Sequence, residues 1–213
     1  MKSNKFNYKN FFGNTGIFEK LFERYEYPWE VLLDIESFID SFESKFQDLG
    51  YKKLRERVFV GKNATIDPTA KIEGPAIIGS GTTLRCGAYL RENCLLGENV
   101  IIGHSVELKQ LIVLSDSSIS HLNYVGNSII GKNVKIAGGA ILANTRLDMQ
   151  EVTIKDEENT IGTGVNKFSC IIGDESFVGA NSVINPGTIL AKKSLVFPLV
   201  SVSGTHLEGK KHK

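Results

Sequence analysis

The chain has 213 residues, with 25 basic and 24 acidic side chains and a formal net charge of +1. This balance disfavours a nucleic-acid binder or a binder of anionic membranes, because both need a strong basic excess. The cysteines Cys86, Cys94 and Cys170 are too few and odd in number for a disulfide framework. The sequence shows neither an apolar membrane span nor a signal segment. We therefore predict a cytoplasmic protein that contacts neither nucleic acid nor a membrane, built as one sizeable domain with an appendage.

Residues 1–57 are the predicted appendage. They contain the only tryptophan, Trp29, and most of the tyrosines. Apolar residues recur there at helical spacings, namely at Ile17, Leu21, Val31, Leu32, Ile35, Phe38, Ile39 and Phe42. Pro28 separates two helices or begins the second, because its fixed φ suits a first helical turn. We predict a helical N-terminal segment that could cover one end of the main domain.

From residue 59 a large aliphatic residue recurs at every sixth position, at Val60, Ile66, Ile72, Ile78, Leu84, Leu90, Leu96, Ile102, Leu108 and Leu114. Small residues such as Ala64, Ala70 and Ala76 follow four positions later. A period of six fits a coiled backbone with an aliphatic interior and small residues at its corners. Because three hexads close one triangular turn, residues 58–200 are predicted to form a mainly β domain, a parallel β-helix. A β-sandwich, the alternative, would show alternation at period two.

The repeat is interrupted twice. Between Ser115 and Asn133 the count of six slips, and this stretch contains His121. The second interruption, residues 145–166, carries no hexads, and long excursions from a regular scaffold are more often functional than filler. The repeat then resumes, and residues 201–213 are predicted to be a basic C-terminal tail.

Four stretches carry a family resemblance: LRCGAYL, VELK, SHLNYVGNSIIGKNVKIAGGAI and NKFSCIIGDESFVGANS. They resemble the left-handed β-helix acyltransferases of the hexapeptide-repeat superfamily, in particular the acetyltransferase half of the bifunctional enzyme that makes UDP-N-acetylglucosamine. The resemblance implies a left-handed coil, acetyl-CoA as co-substrate without a metal, and a homotrimer with active sites between neighbouring chains. Residues 1–57 have neither the length nor the glycine-rich loop of that enzyme's uridylyltransferase half, so sugar-nucleotide synthesis by this chain alone is not expected.

The resemblance places His121 on the family's catalytic position, twelve residues after Lys109 at the end of VELK. Acetyl transfer to an amine needs a base whose pKa is near neutrality, and an imidazole meets that need. A corner of the coil would point the ring into a groove between subunits, where Glu107 could orient it. From the residues alone, a surface histidine at an irregular turn is the alternative interpretation.

The remaining site residues also follow from the resemblance. Family positions that contact the sugar phosphate correspond here to Arg85, Lys109, Tyr124 and Lys167. Family positions beside the coenzyme correspond to Asn144, Ala180 and Gly138, whose amide is the expected oxyanion donor. Taken singly, a cationic residue here could be a solvated side chain, and a small residue could simply suit a corner.

This sequence departs from the family pattern in three places. Lys135 replaces an asparagine, Thr145 replaces a tyrosine, and the insertion between Asn144 and Lys167 is longer. An added lysine favours a more anionic ligand, so Lys135 joins the predicted substrate-binding residues. The leading function is N-acetylation of glucosamine 1-phosphate or a similar amino-sugar phosphate, for sugar-nucleotide and cell-envelope precursor synthesis. The alternatives are a non-catalytic sugar-nucleotide binder or scaffold, and a partner of a sugar-phosphate nucleotidyltransferase.

Overall fold

The computed structural model describes residues 4–155 and 159–213. Residues 1–3 of the predicted helical segment and residues 156–158 of the predicted excursion lie outside the described residues. The described chain is mainly β and winds into a parallel β-helix of about eight turns, which confirms the fold that the hexads predict. In the described part of the chain, no helix combines the length and apolar character that crossing a bilayer requires.

Three sheets form the sides of the coil, and the strands are numbered in chain order. Sheet 1 contains β1 (Lys52–Arg55), β2 (Val58–Val60), β5 (Ala76–Ile78), β8 (Cys94–Leu96), β11 (Leu111–Val113), β14 (Ile129–Ile130), β19 (Cys170–Ile172), β22 (Thr188–Leu190) and β25 (Thr205–His206). Sheet 2 contains β3 (Thr65–Ile66), β6 (Thr83–Leu84), β9 (Ile101–His104), β12 (Ser118–His121), β15 (Lys135–Ile136), β20 (Phe177–Val178), β23 (Leu195–Val196) and β26 (Lys211–His212). Sheet 3 contains β4 (Lys71–Ile72), β7 (Tyr89–Leu90), β10 (Glu107–Lys109), β13 (Tyr124–Gly126), β16 (Ile141–Leu142), β21 (Val183–Ile184) and β24 (Ser201–Val202).

The interior is a stack of aliphatic side chains supplied by the hexads. Leu84, Ile102 and Ile119, for example, are neighbours in successive turns of sheet 2, and each is at most 1% exposed. Each methylene group that is buried on folding stabilises the folded state by about 0.8 kcal/mol. Because every turn contacts only its neighbours, this continuous stack holds successive turns of the coil together.

The spacing between interior residues shortens from six to five at two corners. The short steps run from Leu108 to Val113 and, one turn later, from Val125 to Ile130. Both fall where sheet 3 turns into sheet 1. The prediction that Leu114 faces the interior is therefore wrong, and this residue packs with the N-terminal segment instead. The corner that carries His121 keeps the regular spacing, so the irregularity in the repeat lies on either side of it.

The described N-terminal segment contains the α-helices α1 (Tyr8–Phe11), α2 (Glu19–Phe22) and α3 (Ile35–Phe42), and 3₁₀ helices at Gly16–Phe18 and Pro28–Asp34. These helices pack along the outer side of sheet 1 and not over an end of the coil. The reason is that strands of sheet 1 carry a second apolar residue on their outward side, and these residues are completely buried: Phe59, Ile77, Leu95, Ile112, Ile129, Ile171 and Ile189. Two consecutive apolar residues occur in these strands, one facing inward and one outward, and this pattern was the sequence signal for a sheet that is covered on both sides.

A buried carboxylate fastens the N-terminal segment to the coil. Asp174, only 7% exposed, accepts hydrogen bonds from the amides of Gly13 (2.7 Å) and Lys132 (2.8 Å). The amide of Asp174 in turn donates to the carbonyl oxygen of Phe11 at 3.0 Å. Further along, the side-chain amide of Gln110 donates to the carbonyl oxygen of Leu32 at 3.2 Å.

The predicted excursion forms a small arm against the same segment. Thr145 and Lys167 pair in an antiparallel bridge at its base. Beyond them, β17 (Thr153–Lys155) and β18 (Thr160–Gly162) form an antiparallel hairpin. Phe168 is buried at the end of the arm, with its ring centroid 6.3 Å from that of Trp29. The arm therefore joins the N-terminal segment to the edge where sheet 3 meets sheet 1.

The coil continues beyond the predicted boundary at residue 200. Strands β24, β25 and β26 pair in parallel with β21, β22 and β23 of the preceding turn. In this last turn the interior positions hold His206 and His212, whose ring centroids are 4.5 Å apart. The predicted basic tail, residues 201–213, is thus part of the coil, because its backbone is hydrogen-bonded into all three sheets.

Candidate active site

His121 ends strand β12 at the corner where sheet 2 turns into sheet 3, and its side chain is exposed. His104 is its register partner in the preceding turn. In the next two turns the same corner holds Gly138 and Ala180. Two backbone hydrogen bonds, both 3.0 Å long, show this alignment: the Gly139 amide donates to the carbonyl oxygen of His121, and the Asn181 amide donates to that of Gly138. We call the stacked residues Cys86, His104, His121, Gly138 and Ala180 the corner column.

The His121 ring occupies the space in which a side chain at position 138 would lie, and residue 138 is a glycine. A Cβ atom placed on Gly138 would overlap the imidazole, with Nε2 as the nearest atom. The Gly138 amide donates to no other described residue, and the next residue of the column, Ala180, is also small. The corner column is therefore shallow on the C-terminal side of His121, and a backbone N–H is available beside the ring for a developing oxyanion.

The two histidines of the corner column differ in their hydrogen bonds. Nδ1 of His104 lies 2.9 Å from the carbonyl oxygen of Cys86, so it carries the proton, and Nε2 accepts from the Ser105 hydroxyl at 3.1 Å. The His121 ring has no hydrogen bond to any described residue. The Glu107 carboxylate, which we expected to orient it, bonds to Arg91 at 3.0 Å instead. Of the two rings, His121 is the one with nitrogens available to a ligand.

Asn123 lies in the candidate site and was missed by the sequence analysis. It fills the small-residue slot inside the corner, where the preceding turn has Val106 and the following turn has Ala140. Its side-chain amide donates to the carbonyl oxygens of Ala137 (2.7 Å) and Ala140 (3.3 Å). These two bonds span the turn that contains Gly138, so Asn123 fixes the backbone beneath the His121 ring. An asparagine in a slot that holds Ala88, Val106, Ala140 and Ser182 in the other turns was the available sequence signal.

A second cluster, formed by Tyr124, Asn127, Asn144 and Lys109, lies on sheet 3 and at its edge. The half-buried Tyr124 hydroxyl accepts from the side-chain amide of Asn144 at 3.1 Å, and that amide also donates to Asn127 Oδ1 at 2.6 Å. Burial raises the pKa of Tyr124, although the Asn144 hydrogen bond opposes the shift. The hydroxyl therefore stays protonated at neutral pH and can donate to an anionic ligand.

Lys109 belongs to this second cluster and is engaged in an ion pair. Its Nζ lies 2.8 Å from Glu92 Oε1, and its side chain is only 17% exposed. Arg91, its register neighbour in the preceding turn, is paired with Glu107 at 3.0 Å. Arg91 was not singled out by the sequence analysis, because it matches no motif and its position beside Lys109 is apparent only in the fold.

The other predicted cations carry no ion pair to a described carboxylate. Arg85 is exposed at the start of the corner that holds Cys86, and Lys135 is exposed on the outer face of sheet 2. Lys167 is exposed at the base of the arm, opposite Thr145. Within one chain the predicted cations are thus spread over sheet 2, the corner, sheet 3 and the arm.

The buried thiols are unsuited to nucleophilic chemistry. Cys94 and Cys170 are completely buried, and burial raises the pKa of both, to about 12 for Cys170. Since the thiolate is the reactive form, neither sulfur would be activated at neutral pH. In the described part of the chain, no group of three or more His, Cys, Asp or Glu side chains is arranged to hold a metal ion.

Comparison with known families finds two matches. The family described as the GMPPB C-terminal domain matches residues 74–168, and the hexapeptide repeat of succinyl-transferase matches residues 170–196. Together the matched segments include the corner column, the second cluster and the arm.

Several curated proteins are similar to parts of the chain. A bifunctional sugar-1-phosphate nucleotidylyltransferase/acetyltransferase of Sulfurisphaera tokodaii is 34% identical over 93 residues, which are 44% of this chain and 23% of that protein. The bifunctional protein GlmU of Methanococcus vannielii is 33% identical over 90 residues, 42% of this chain and 22% of that protein. The putative uncharacterized acetyltransferase YaiX of Escherichia coli is 29% identical over 145 residues, 68% of this chain and 63% of that protein.

The chain therefore spans less than a quarter of the two bifunctional relatives, and somewhat less than two thirds of YaiX. Among solved structures, a mutant of the N-acyltransferase AntD from Bacillus cereus, in complex with dTDP and coenzyme A, is 15% identical with a TM-score of 0.44. That match covers 76% of this chain and 79% of AntD.

Proposed function

Because the chain belongs to the hexapeptide-repeat acyltransferase family, we propose that it is an acetyl-CoA-dependent N-acetyltransferase whose acceptor is an amino-sugar phosphate of the glucosamine 1-phosphate type. One observation carries the proposal: the exposed imidazole of His121, which bonds to no described residue, lies against Gly138, whose amide also donates to no described residue. A base and an oxyanion donor are the two groups that amine acetylation requires of a protein.

The reaction balances with these two groups. The acceptor nitrogen attacks the thioester carbonyl carbon, a C–N bond forms, and a ring nitrogen of His121 takes the proton that the amine loses. The Gly138 amide donates to the oxyanion of the tetrahedral intermediate. When this intermediate collapses, the C–S bond breaks and the thiolate of coenzyme A leaves with the proton from the imidazolium. No metal is needed in this sequence of steps.

The coenzyme fits the C-terminal side of the corner column, since Gly138 and Ala180 leave room beside the ring, and Asn144 would contact it at the edge of sheet 3. The acceptor then lies beside the ring, with its phosphate directed toward the Tyr124 hydroxyl on sheet 3. Its phosphate is the ligand of Arg85, Lys109, Lys167 and the protonated Tyr124 hydroxyl, with Lys135 as an additional cation.

A homotrimer would bring these dispersed groups together. Sheet 1 is covered by the N-terminal segment, which leaves sheets 2 and 3 for contact with other copies. Both present apolar side chains to solvent: Ile101, Phe177 and Leu195 on sheet 2 and Ile141 on sheet 3 are 37–41% exposed. In such an assembly the corner column of one chain would face sheet 2 or sheet 3 of the next, so that cations of two chains complete one site.

The test is acetyl transfer by the purified chain from acetyl-CoA to glucosamine 1-phosphate, measured by mass spectrometry of the sugar and by release of the coenzyme thiol. We expect equimolar acetylated sugar phosphate and free coenzyme A. Calorimetry that finds sugar-nucleotide affinity without acetyl-CoA affinity would replace the proposal with the non-catalytic binder. Pyrophosphate release from UTP and sugar phosphate would instead favour the nucleotidyltransferase alternative.

A further inference from the structure

The ammonium group of Lys109 faces away from the polar groups of the second cluster. Its partner Glu92 belongs to the preceding turn of the coil, on the N-terminal side of strand β10. The Tyr124 hydroxyl and the Asn144 amide meet on the opposite side, over Gly126, which is the register neighbour of Lys109 in the following turn. Lys109 is therefore paired on the side of its strand that is opposite to the Tyr124 hydroxyl, and a ligand shared with Tyr124 would draw its ammonium group away from Glu92.

The ion pair that restrains Lys109 is partly shielded from water. The Lys109 side chain is 17% exposed and that of Glu92 is 38% exposed. Partial burial by itself raises the pKa of Glu92, but the hydrogen bond from Lys109 and the charges of Lys109 and Arg91 outweigh it, and the pKa lies below its ordinary value. Glu92 is therefore charged at neutral pH and competes with any anion for the lysine.

The ion pair between Arg91 and Glu107 lies beside the one between Lys109 and Glu92, and together the two pairs balance their charges. Arg91 and Lys109 are matched by Glu107 and Glu92, so the four side chains carry no net charge. Arg85, Lys135 and Lys167 have no such carboxylate partner among the described residues. A cation that is already neutralised attracts a weak anion poorly, whereas a doubly charged group can displace the carboxylate.

We propose that Glu92 is a specificity-determining residue, which holds Lys109 out of the acceptor subsite until the dianionic phosphate of a phosphate monoester displaces it. This inference rests on the proposed function for the identity of the acceptor, and it narrows the substrate class. Amino sugars that bear a phosphate monoester are accepted, and neutral amino sugars are rejected because they leave the Glu92–Lys109 pair intact. Glu92 acts through Lys109 and touches no reacting atom.

Glu92→Gln tests the proposal, since it removes the competing charge and keeps the shape of the side chain. Loss of a partly exposed ion pair changes an equilibrium about fivefold. We expect the dissociation constants of glucosamine 1-phosphate and of inorganic phosphate, measured by calorimetry at low ionic strength, to fall by about that factor. KM for the acceptor should fall in parallel, with kcat unchanged.

Two variants control for a general effect of charge. Glu73→Gln removes the carboxylate of a comparable pair, because Glu73 and Lys71 form a 2.8 Å ion pair on sheet 3, two turns before Lys109. This variant should leave phosphate affinity unchanged. Combining Glu92→Gln with Lys109→Met should abolish the gain, because the freed lysine is then absent.

The binding measurement separates this inference from the proposed function. If wild-type protein does not acetylate glucosamine 1-phosphate, but Glu92→Gln binds phosphate more tightly than wild type and Glu73→Gln does not, the acceptor assignment fails and the role of Glu92 stands. If Glu92→Gln binds phosphate no more tightly than wild type, or if Glu73→Gln gains as much affinity, the role of Glu92 is overturned.

Discussion

The imidazole of His121 lies directly against the backbone of Gly138, in the turn of the coil that follows it, and residue 138 has no room for a side chain. Glycine is needed here for a close approach and not for a special backbone conformation, since Gly138 does not have a positive φ whereas Gly139 does, at 73°. The ring and the unbonded amide of Gly138 are therefore held side by side by the geometry of one corner.

Gly138→Ala is predicted to lower kcat by about two orders of magnitude, because the methyl group would push the ring from its place and small displacements of catalytic groups have effects of that size. The fold should be retained, since the corner is open to solvent. The matched control is Gly13→Ala, where a Cβ atom meets only ordinary contacts, the nearest at 3.6 Å. Steady-state acetyl transfer by both variants is the measurement, and equal activity would argue against contact between the ring and this corner.

Asn123→Ala is predicted to destabilise the protein by about 1–3 kcal/mol, because it leaves the Ala137 and Ala140 carbonyl oxygens without their donor. It should also lower kcat more than it raises KM, because the corner beside His121 loses its support. The comparison is Asn10→Ala, whose exposed side-chain amide also donates to two carbonyl oxygens, those of Asn4 and Lys5. Urea unfolding that shows the same small change for both variants would contradict the assigned role.

The sequence was sufficient for the coil because its signal is local and repeated. Interior positions such as Leu84 and Ile102 can be identified by counting, since one register of six satisfies every turn from Val60 to Leu108. The count of six failed at Leu114, because the preceding corner is one residue shorter than the others. The local sequence does not distinguish a short corner from a long one, so only the structure shows which residue faces the interior.

The candidate site was less accessible to sequence reasoning. Matched stretches singled out His121 and Gly138 as candidates, but their contact depends on which residues of successive turns share a corner. The Glu92–Lys109 ion pair and the Asn123 hydrogen bonds join residues of neighbouring turns, which are 14 or 17 residues apart in the sequence. Contacts of that kind follow from the register of the coil and not from any motif.

Asp174→Ala is predicted to loosen the N-terminal segment, because the amides of Gly13 and Lys132 lose a charged acceptor in a buried place. The expected loss is about 3 kcal/mol of the free energy of unfolding. Hydrogen exchange should increase in residues 8–18 before it increases in the coil. Asp116→Ala, which removes an exposed partner of Lys132 at 3.4 Å, should have an effect below about 1 kcal/mol. Equal protection of residues 8–18 in all three proteins would contradict this attachment.

The last turn of the coil should be sensitive to acid. Burial lowers the pKa of His206 and His212 from the ordinary value of 6.5, and the charge of Lys210 lowers both further. The unfolded chain then binds more protons than the folded chain as the pH falls below about 6.5, so the free energy of unfolding decreases there and is unaffected by these groups at higher pH. Urea unfolding of wild type between pH 7.5 and 5.5 should show this decrease. The double variant His206→Leu/His212→Leu should show less of it, and an identical slope in both proteins would rule out this origin.

The most direct measurement is the rate of acetyl transfer by His121→Ala at saturating acetyl-CoA and glucosamine 1-phosphate. We expect kcat to fall by about 10²–10⁴-fold, which is the loss that removal of a general base causes. His104→Ala, which removes the neighbouring ring of the corner column, should retain most of the activity, because both of its nitrogens are already bonded within the chain. Undiminished turnover by His121→Ala would contradict the proposal that His121 is the base in acetyl transfer.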